Sequence, residues 1–128
     1  MAGERILIVD DNAINLKLVA YLMRANGYTV ETALDAESAI EAVRANRPDV
    51  ILMDIQLPGI DGLELTRRLK ADPRTHDIVI VAVTAYAMKG DQAKALAAGC
   101  DDYITKPIDT RTLPETIAKH LAKREVVS

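Results

Sequence analysis

The sequence predicts an α/β fold, a (βα)5 doubly wound parallel sheet with helices on both faces, and three observations carry that prediction. Short apolar runs rich in branched residues occupy 6–9, 50–53, 78–83 and, more briefly, 103–104, with a weaker alternating run at 28–32. Continuous runs of this length suit strands buried on both faces of a parallel sheet. Helical patterns fill the intervals, so strand and helix alternate five times, and right-handed crossovers then give an open sheet in three α/β/α layers. The composition agrees: 128 residues, 49% hydrophobic and 27% charged, suffice for one domain with its own core.

In the first helix Ile14, Leu18 and Leu22 recur every fourth residue, and Gly27 is placed to stop it. Asp35 can cap the second, whose apolar face is Ala36, Ala39, Ile40 and Val43. The third opens with the capping-box spacing Asp61-Gly-Leu-Glu64, carries Leu65 and Leu69, and halts at Asp72-Pro73. The fourth, about 88–98, is alanine-rich and ends at Gly99. The last shows Leu113, Ile117 and Leu121, with Thr112-Leu-Pro-Glu115 as a capping box and Pro114 in the first turn.

The charge balance excludes some partners. With 16 basic and 19 acidic residues the net charge is −3, which leaves no excess of cations to track a phosphate backbone, so no nucleic acid is expected. The lone cysteine, Cys100, fits a reducing compartment. There is no signal-peptide pattern and no apolar run approaching membrane-spanning length. A cytoplasmic protein without membrane contact is the expectation, as one domain over 1–128 with no effector domain.

In a doubly wound sheet, ligands bind beyond the carboxyl ends of the strands. The apolar runs lead there into Asp10-Asp11, Asp54, Thr84 and Thr105-Lys106-Pro107. Taken singly these are ordinary features: Asp11 or Asn12 as a helix cap, Asp54 as a turn residue, Thr84 in a hydroxyl-bonded turn. Their convergence on one edge outweighs those readings. Three clustered carboxylates repel one another unless a cation intervenes, and an all-oxygen site of this kind suits Mg²⁺. One Mg²⁺ and the Lys106 ammonium would balance the three negative charges. Such a site can accept a phosphoryl group on an aspartate, with the metal, Lys106 and Thr84 as helpers.

These residues lie in segments that together resemble the receiver domains of two-component response regulators, over essentially the whole chain. The segments are Ile8-Val-Asp-Asp-Asn12, Leu52-Met-Asp-Ile-Gln-Leu-Pro-Gly59 with Asp61-Gly62, Val83-Thr-Ala-Tyr-Ala-Met-Lys-Gly-Asp91 and Gly99-Cys-Asp-Asp-Tyr-Ile-Thr-Lys-Pro107. The resemblance implies the flavodoxin-like, CheY-like strand order 2-1-3-4-5. It implies that Asp54 is the phosphoacceptor, charged by a phosphohistidine on a sensor histidine kinase or a histidine phosphotransfer protein. Asp11, Asp54 and the backbone carbonyl of Gln56 would ligate Mg²⁺, for which Mn²⁺ can substitute, and Asp10 would act mainly through metal-bound water. Lys106, Thr84 and Ala85 would meet the phosphoryl group, Tyr103 would turn inward after Thr84, and the Lys106–Pro107 bond would be cis. Gln56 and Tyr86 would tune hydrolysis.

A receiver of this kind is a phosphoacceptor that catalyses its own phosphorylation and slow dephosphorylation rather than an enzyme in the usual sense. The fourth helix has few large apolar residues, so its docking is weak and its repositioning cheap. The face around Met88, Leu96 and Tyr103 is therefore the expected docking surface for a downstream protein. The segments following Asp54 and Thr84 look closest to stand-alone regulators of the DivK type, working as a monomer or weak dimer. They also look like receiver modules of hybrid kinases, which would make the chain a relay station or phosphate sink.

A haloacid-dehalogenase-type phosphatase needs a second aspartate two places after its nucleophile. Asp54 is followed by Ile55 and Gln56, and Asp10 by Asp11 and Asn12, so that pattern fails. A flavodoxin-like electron carrier is disfavoured by 3% aromatic content and by Asp10-Asp11 where a phosphate loop would stand. His76 and His120 read as solvated histidines, Cys100 and Met53 as core residues, and Arg67-Arg68 as a solvated helix face. Asn15 either approaches the acidic edge from the first helical turn or is plainly exposed.

Overall fold

The computed structural model describes residues 4–55, 57, 62–84, 91–106 and 108–127, the side chains of 91 and 123–127 excepted. Five strands and five helices alternate: β1 (Arg5–Val9), α1 (Ala13–Ala25), β2 (Thr29–Ala33), α2 (Ala36–Ala45), β3 (Val50–Asp54), α3 (Gly62–Ala71), β4 (Val79–Thr84), α4 (Asp91–Ala98), β5 (Asp102–Thr105) and α5 (Leu113–Val127). The strands form one parallel sheet in the order β2-β1-β3-β4-β5.

Side chains alternate across each strand, which divides the core into two. Ile6, Ile8, Val50, Leu52, Val81 and Val83 point to the side covered by α1 and α5, where Leu16, Met23, Leu113 and Ile117 meet them. Leu7, Val9, Ile51, Met53, Ile80 and Ala82 point to the side of α2, α3 and α4, against Val43, Leu65, Leu69, Ala95 and Cys100. Both sheet faces are covered, and continuous apolar runs are the result. Among the described residues no helix is long and apolar enough to cross a membrane.

Helix ends follow the expected chemistry at several points. Asp35 caps α2 by accepting the Ser38 amide. Gly27 and Gly99 have φ of 91° and 110°, a conformation that side chains disfavour. At each, the next residue's amide reaches back, Tyr28 to the Met23 carbonyl and Cys100 to the Ala95 carbonyl, which is the Schellman stop.

Two expectations are corrected. Ile14, Leu18 and Leu22 are not the buried stripe of α1: Ile14 and Leu18 are 79% and 55% exposed, Leu22 is half-buried, and Leu16, Val19, Ala20 and Met23 form the core face. Both sets satisfy four-residue spacing, so periodicity alone could not choose between them. The capping box at α5 does not form. The Thr112 hydroxyl donates to the Asp109 carbonyl instead of accepting an amide, and the Thr112 amide is already bonded to that carbonyl. A turn over 109–112 thus supplies the entry into the helix. Of the α3 entry, Asp61 lies outside the described residues.

Candidate functional site

The acidic edge is assembled from strand ends. The Asp10 amide donates to the Ala33 carbonyl at 3.1 Å, which extends the β1–β2 ladder by one rung and fixes Asp10 where the strand stops. The Asn12 amide then donates to Asp10 Oδ1 at 2.9 Å, while the Asn12 side-chain oxygen accepts from the amides of Ile14 and Asn15. Asn12 is therefore the cap of α1. Asp10 is turned inward and buried, and Asp11 is left exposed at the lip. Asp54 and Thr84 end β3 and β4, 3% and 1% exposed. The Lys106 amide donates to the Thr84 carbonyl at 2.7 Å, which anchors Lys106 just past β5.

Asp10, Asp11 and Asp54 each offer an oxygen to one point, these atoms lying within 4.8 Å of one another. Lys106 Nζ stands 3.1 Å from Asp10 Oδ2 and 3.3 Å from Asp54 Oδ2. Burial alone would push the Lys106 ammonium down. Its hydrogen bond to Asp10 and the charges of Asp54 and Asp10 outweigh that, holding it above the usual lysine value. Asn15 Nδ2 reaches Asp10 Oδ2 at 3.5 Å, so this asparagine does approach the edge, at the limit of hydrogen-bond range. Three carboxylates against one ammonium leave negative charge uncompensated, and an oxygen-only set of this kind fits a hard divalent cation that keeps waters.

Gln56, Ala85, Tyr86, Met88 and Pro107 lie outside the described residues. Tyr103, on β5, is half-buried and packs against the apolar cluster on the α2–α4 side. Beside it, α4 is anchored by the small side chains of Ala95 and Ala98, with Leu96 49% exposed. Cys100 is buried as expected, and burial pushes its thiol up. His76 is exposed.

His120 departs from expectation. Its Nε2 donates to Asp102 Oδ2 at 2.8 Å and its side chain is only 13% exposed, so it bridges α5 to the start of β5. The partners are 18 positions apart on different elements, a pairing that spacing does not reveal. Gly62 was also missed as a site residue. A Cβ built there would stand 2.3 Å from the Asp54 carbonyl oxygen and 2.7 Å from Ile55 Cα, so the backbone of α3 can close on the strand end only without a side chain. The available signal was a glycine in a first helical turn, where it costs about 1 kcal/mol against alanine in helix propensity.

Comparison with known proteins adds an independent line. The pattern of the response regulator receiver domain matches residues 6–118. The polar-differentiation response regulator DivK of Brucella anthropi is 45% identical over 118 residues, covering 92% of this chain and 96% of that one. A CheY-like receiver domain protein from Methanospirillum hungatei superposes with a TM-score of 0.92 at 31% identity, covering 99% of this chain and all of the other. The receiver domain of the Pseudomonas aeruginosa sensor histidine kinase PA1611, solved with magnesium coordinated in its active-site cleft, gives 0.86 at 35% identity over 94% of this chain and 99% of that one.

Proposed function

Because the chain belongs to the response regulator receiver domain family, we propose that Asp54 accepts a phosphoryl group from a phosphohistidine. The family's members act in two-component signalling and are not classical enzymes. The observation that carries the proposal is the Lys106 ammonium lying 3.1 and 3.3 Å from two buried carboxylates that share their edge with Asp11.

An Asp54 carboxylate oxygen attacks phosphorus as the phosphorus–nitrogen bond of the donor breaks, and the imidazole nitrogen keeps the bonding electron pair. An aspartyl phosphate results. Asp10, Asp11, Asp54 and the Gln56 carbonyl would hold Mg²⁺, which supplies positive charge to the phosphoryl oxygens when bound. Lys106 exchanges its carboxylate contacts for a phosphoryl oxygen. Thr84 and the amide of Ala85 donate to the remaining oxygens. The acyl phosphate is returned to water slowly by the same site, at a rate tuned by Gln56 and Tyr86.

Phosphorylation adds about 1.5–2 negative charges at one point. Two new charge-assisted hydrogen bonds, at about 1.5–3 kcal/mol each, approach the roughly 5.5 kcal/mol needed to reverse a 1:99 equilibrium. The element they bias is α4 with Tyr103, whose small anchoring side chains make repositioning cheap. Docking of a downstream protein on that face is the proposed output. On the donor side, exposed Ile14, Leu18 and Tyr21 on α1 begin next to Asp11 and offer an apolar surface for the phosphohistidine protein. Similarity to a kinase receiver module supports a second reading, relay or phosphate-sink behaviour, in which phosphate leaves without a docking partner.

The test is intact-mass analysis after incubation with acetyl phosphate. One Mg²⁺-dependent phosphorylation, lost in Asp54→Asn, is expected. Labelling that persists in Asp54→Asn, or none from either acetyl phosphate or a phosphorylated kinase, would overturn the assignment.

A further inference from the structure

On the sheet face covered by α2, α3 and α4, α2 and α3 barely touch, whereas α3 packs closely on α4. The gap is a cleft of about 510 Å³, within the range of small-molecule sites. Its floor is apolar, made by Ile40, Val43, Leu65 and Leu69. Its rim carries Arg44 and Arg47 from the end of α2, Arg68 from α3 and Arg74 from the loop beyond, against a single acid, Asp72. Four guanidiniums thus surround one cleft on a protein of net charge −3.

Three of them are tethered from outside the cleft or along its rim: Arg68 by Glu64 at 3.2 Å, Arg74 by Asp72 at 3.0 Å, and Arg47 by Asp77. Tethered guanidiniums are pre-ordered for further acceptors. Arg44 carries no ion pair among the described residues, yet it faces Asp72 closely enough to add to the lowering of that carboxyl by the Arg74 hydrogen bonds. Helix dipoles account for Arg44 and Arg68 as last-turn cations. They do not account for arginines from both walls gathering around one cleft, over a floor where Ile40 is half-buried and Val43, Leu65 and Leu69 belong to the core.

We infer that this cleft binds a nucleotide-sized organic phosphate, its planar body on the apolar floor and its phosphates among Arg44, Arg68 and Arg74. Guanidiniums both stack on planar rings and fork to phosphate oxygens, so the same side chains serve both ends of such a ligand. The cleft opens at the helix C-termini, the opposite edge of the sheet from Asp10 and Asp54, so occupancy would not compete with phosphorylation for the same atoms.

An amide-resolved NMR titration with ADP in chelator tests this, the chelator preventing a metal from bridging phosphate to the acidic edge. Saturable shifts at Ile40, Arg44, Leu65 and Arg74 are expected, with affinity weakened about tenfold or more in the double variant Arg44→Ala, Arg74→Ala and in Arg44→Glu. Both arginines are exposed, and the dispersion of the remaining spectrum reports that the variants are folded. Shifts centred on Asp10, Asp11 and Lys106, or no saturation at millimolar ADP, would overturn the inference. So would an equal response to pyrophosphate, meaning an adventitious ion only, or a response to a glutamate-rich peptide but not to ADP.

Discussion

The backbone of Gly62 sits so close to Asp54 that a single added methyl would fall 2.3 Å from its carbonyl oxygen. The Gly62 amide also donates to the Ile55 carbonyl at 3.2 Å, so the first turn of α3 is clamped to the residue following Asp54. The position of the Asp54 carboxylate therefore depends on a residue with no side chain of its own.

Gly62→Ala should destabilise the fold by about 1–3 kcal/mol, the usual range for overpacking against backbone. It should also slow acetyl phosphate labelling of Asp54, because relief requires either the helix or the strand end to move. Urea unfolding and labelling rate measure the two effects. Unchanged values for both would show that the contact relaxes without cost.

Lys106 compensates two buried carboxylates at once, Asp10 and Asp54. Its truncation in Lys106→Ala leaves them facing each other with only hydrogen bonds for relief. A loss of about 1–3 kcal/mol is expected without divalent cation, the cost of a partially buried group deprived of its partner. Because a divalent cation would replace the missing charge, the stabilisation gained on adding Mg²⁺ should be larger in Lys106→Ala than in the wild type. Thermal melts with and without Mg²⁺ check the difference, and a smaller Mg²⁺ effect in the variant would contradict it.

The strands at 6–9, 50–53, 78–83 and 103–104 were legible because each apolar run is interrupted at the sheet edge by a residue of different chemistry, whereas the strand order came from the resemblance alone. Asp10, Asp54, Thr84 and Lys106 converge for the same reason: every parallel strand delivers its next residue to one edge. The α1 face was illegible. Ile14, Leu18 and Leu22 compete with Leu16, Val19, Ala20 and Met23 at the same spacing, and only packing against β1 and β2 decides. Pairings between remote elements, His120 with Asp102 and Gly62 with Asp54, depend on crossover geometry that no local pattern encodes.

The two faces of α1 should separate cleanly under mutation. Leu16→Ala removes a buried side chain and should cost about 2–4 kcal/mol. Leu18→Asp sits on the exposed side and should change stability by no more than about 0.5 kcal/mol. If that side receives the phosphohistidine protein, transfer from the protein donor should fall further in Leu18→Asp than labelling by acetyl phosphate. Parallel loss in both assays would remove α1 from the docking surface.

The Asp102–His120 bond predicts an acid-sensitive contribution to stability. Burial pushes the Asp102 carboxyl up, but the hydrogen bonds from His120 and the Tyr103 amide and the nearby charge of Lys119 outweigh it, so the folded value lies below the ordinary one. A carboxyl lowered by folding stabilises fully above its unfolded value, about 3.9, and loses that contribution as pH falls through the lower folded value. The side chain is 40% exposed, so solvent screening keeps the effect small. Asp102→Asn should accordingly melt below the wild type at neutral pH, and the gap should close as pH drops below about 4. His120→Ala should reduce the same gap without removing it, because the Tyr103 amide still donates to Asp102 Oδ1 at 2.8 Å. Thermal melts across that range decide the matter: a gap that widens in acid would mean that Asp102 is held high rather than low, and that His120 does not stabilise its charged form.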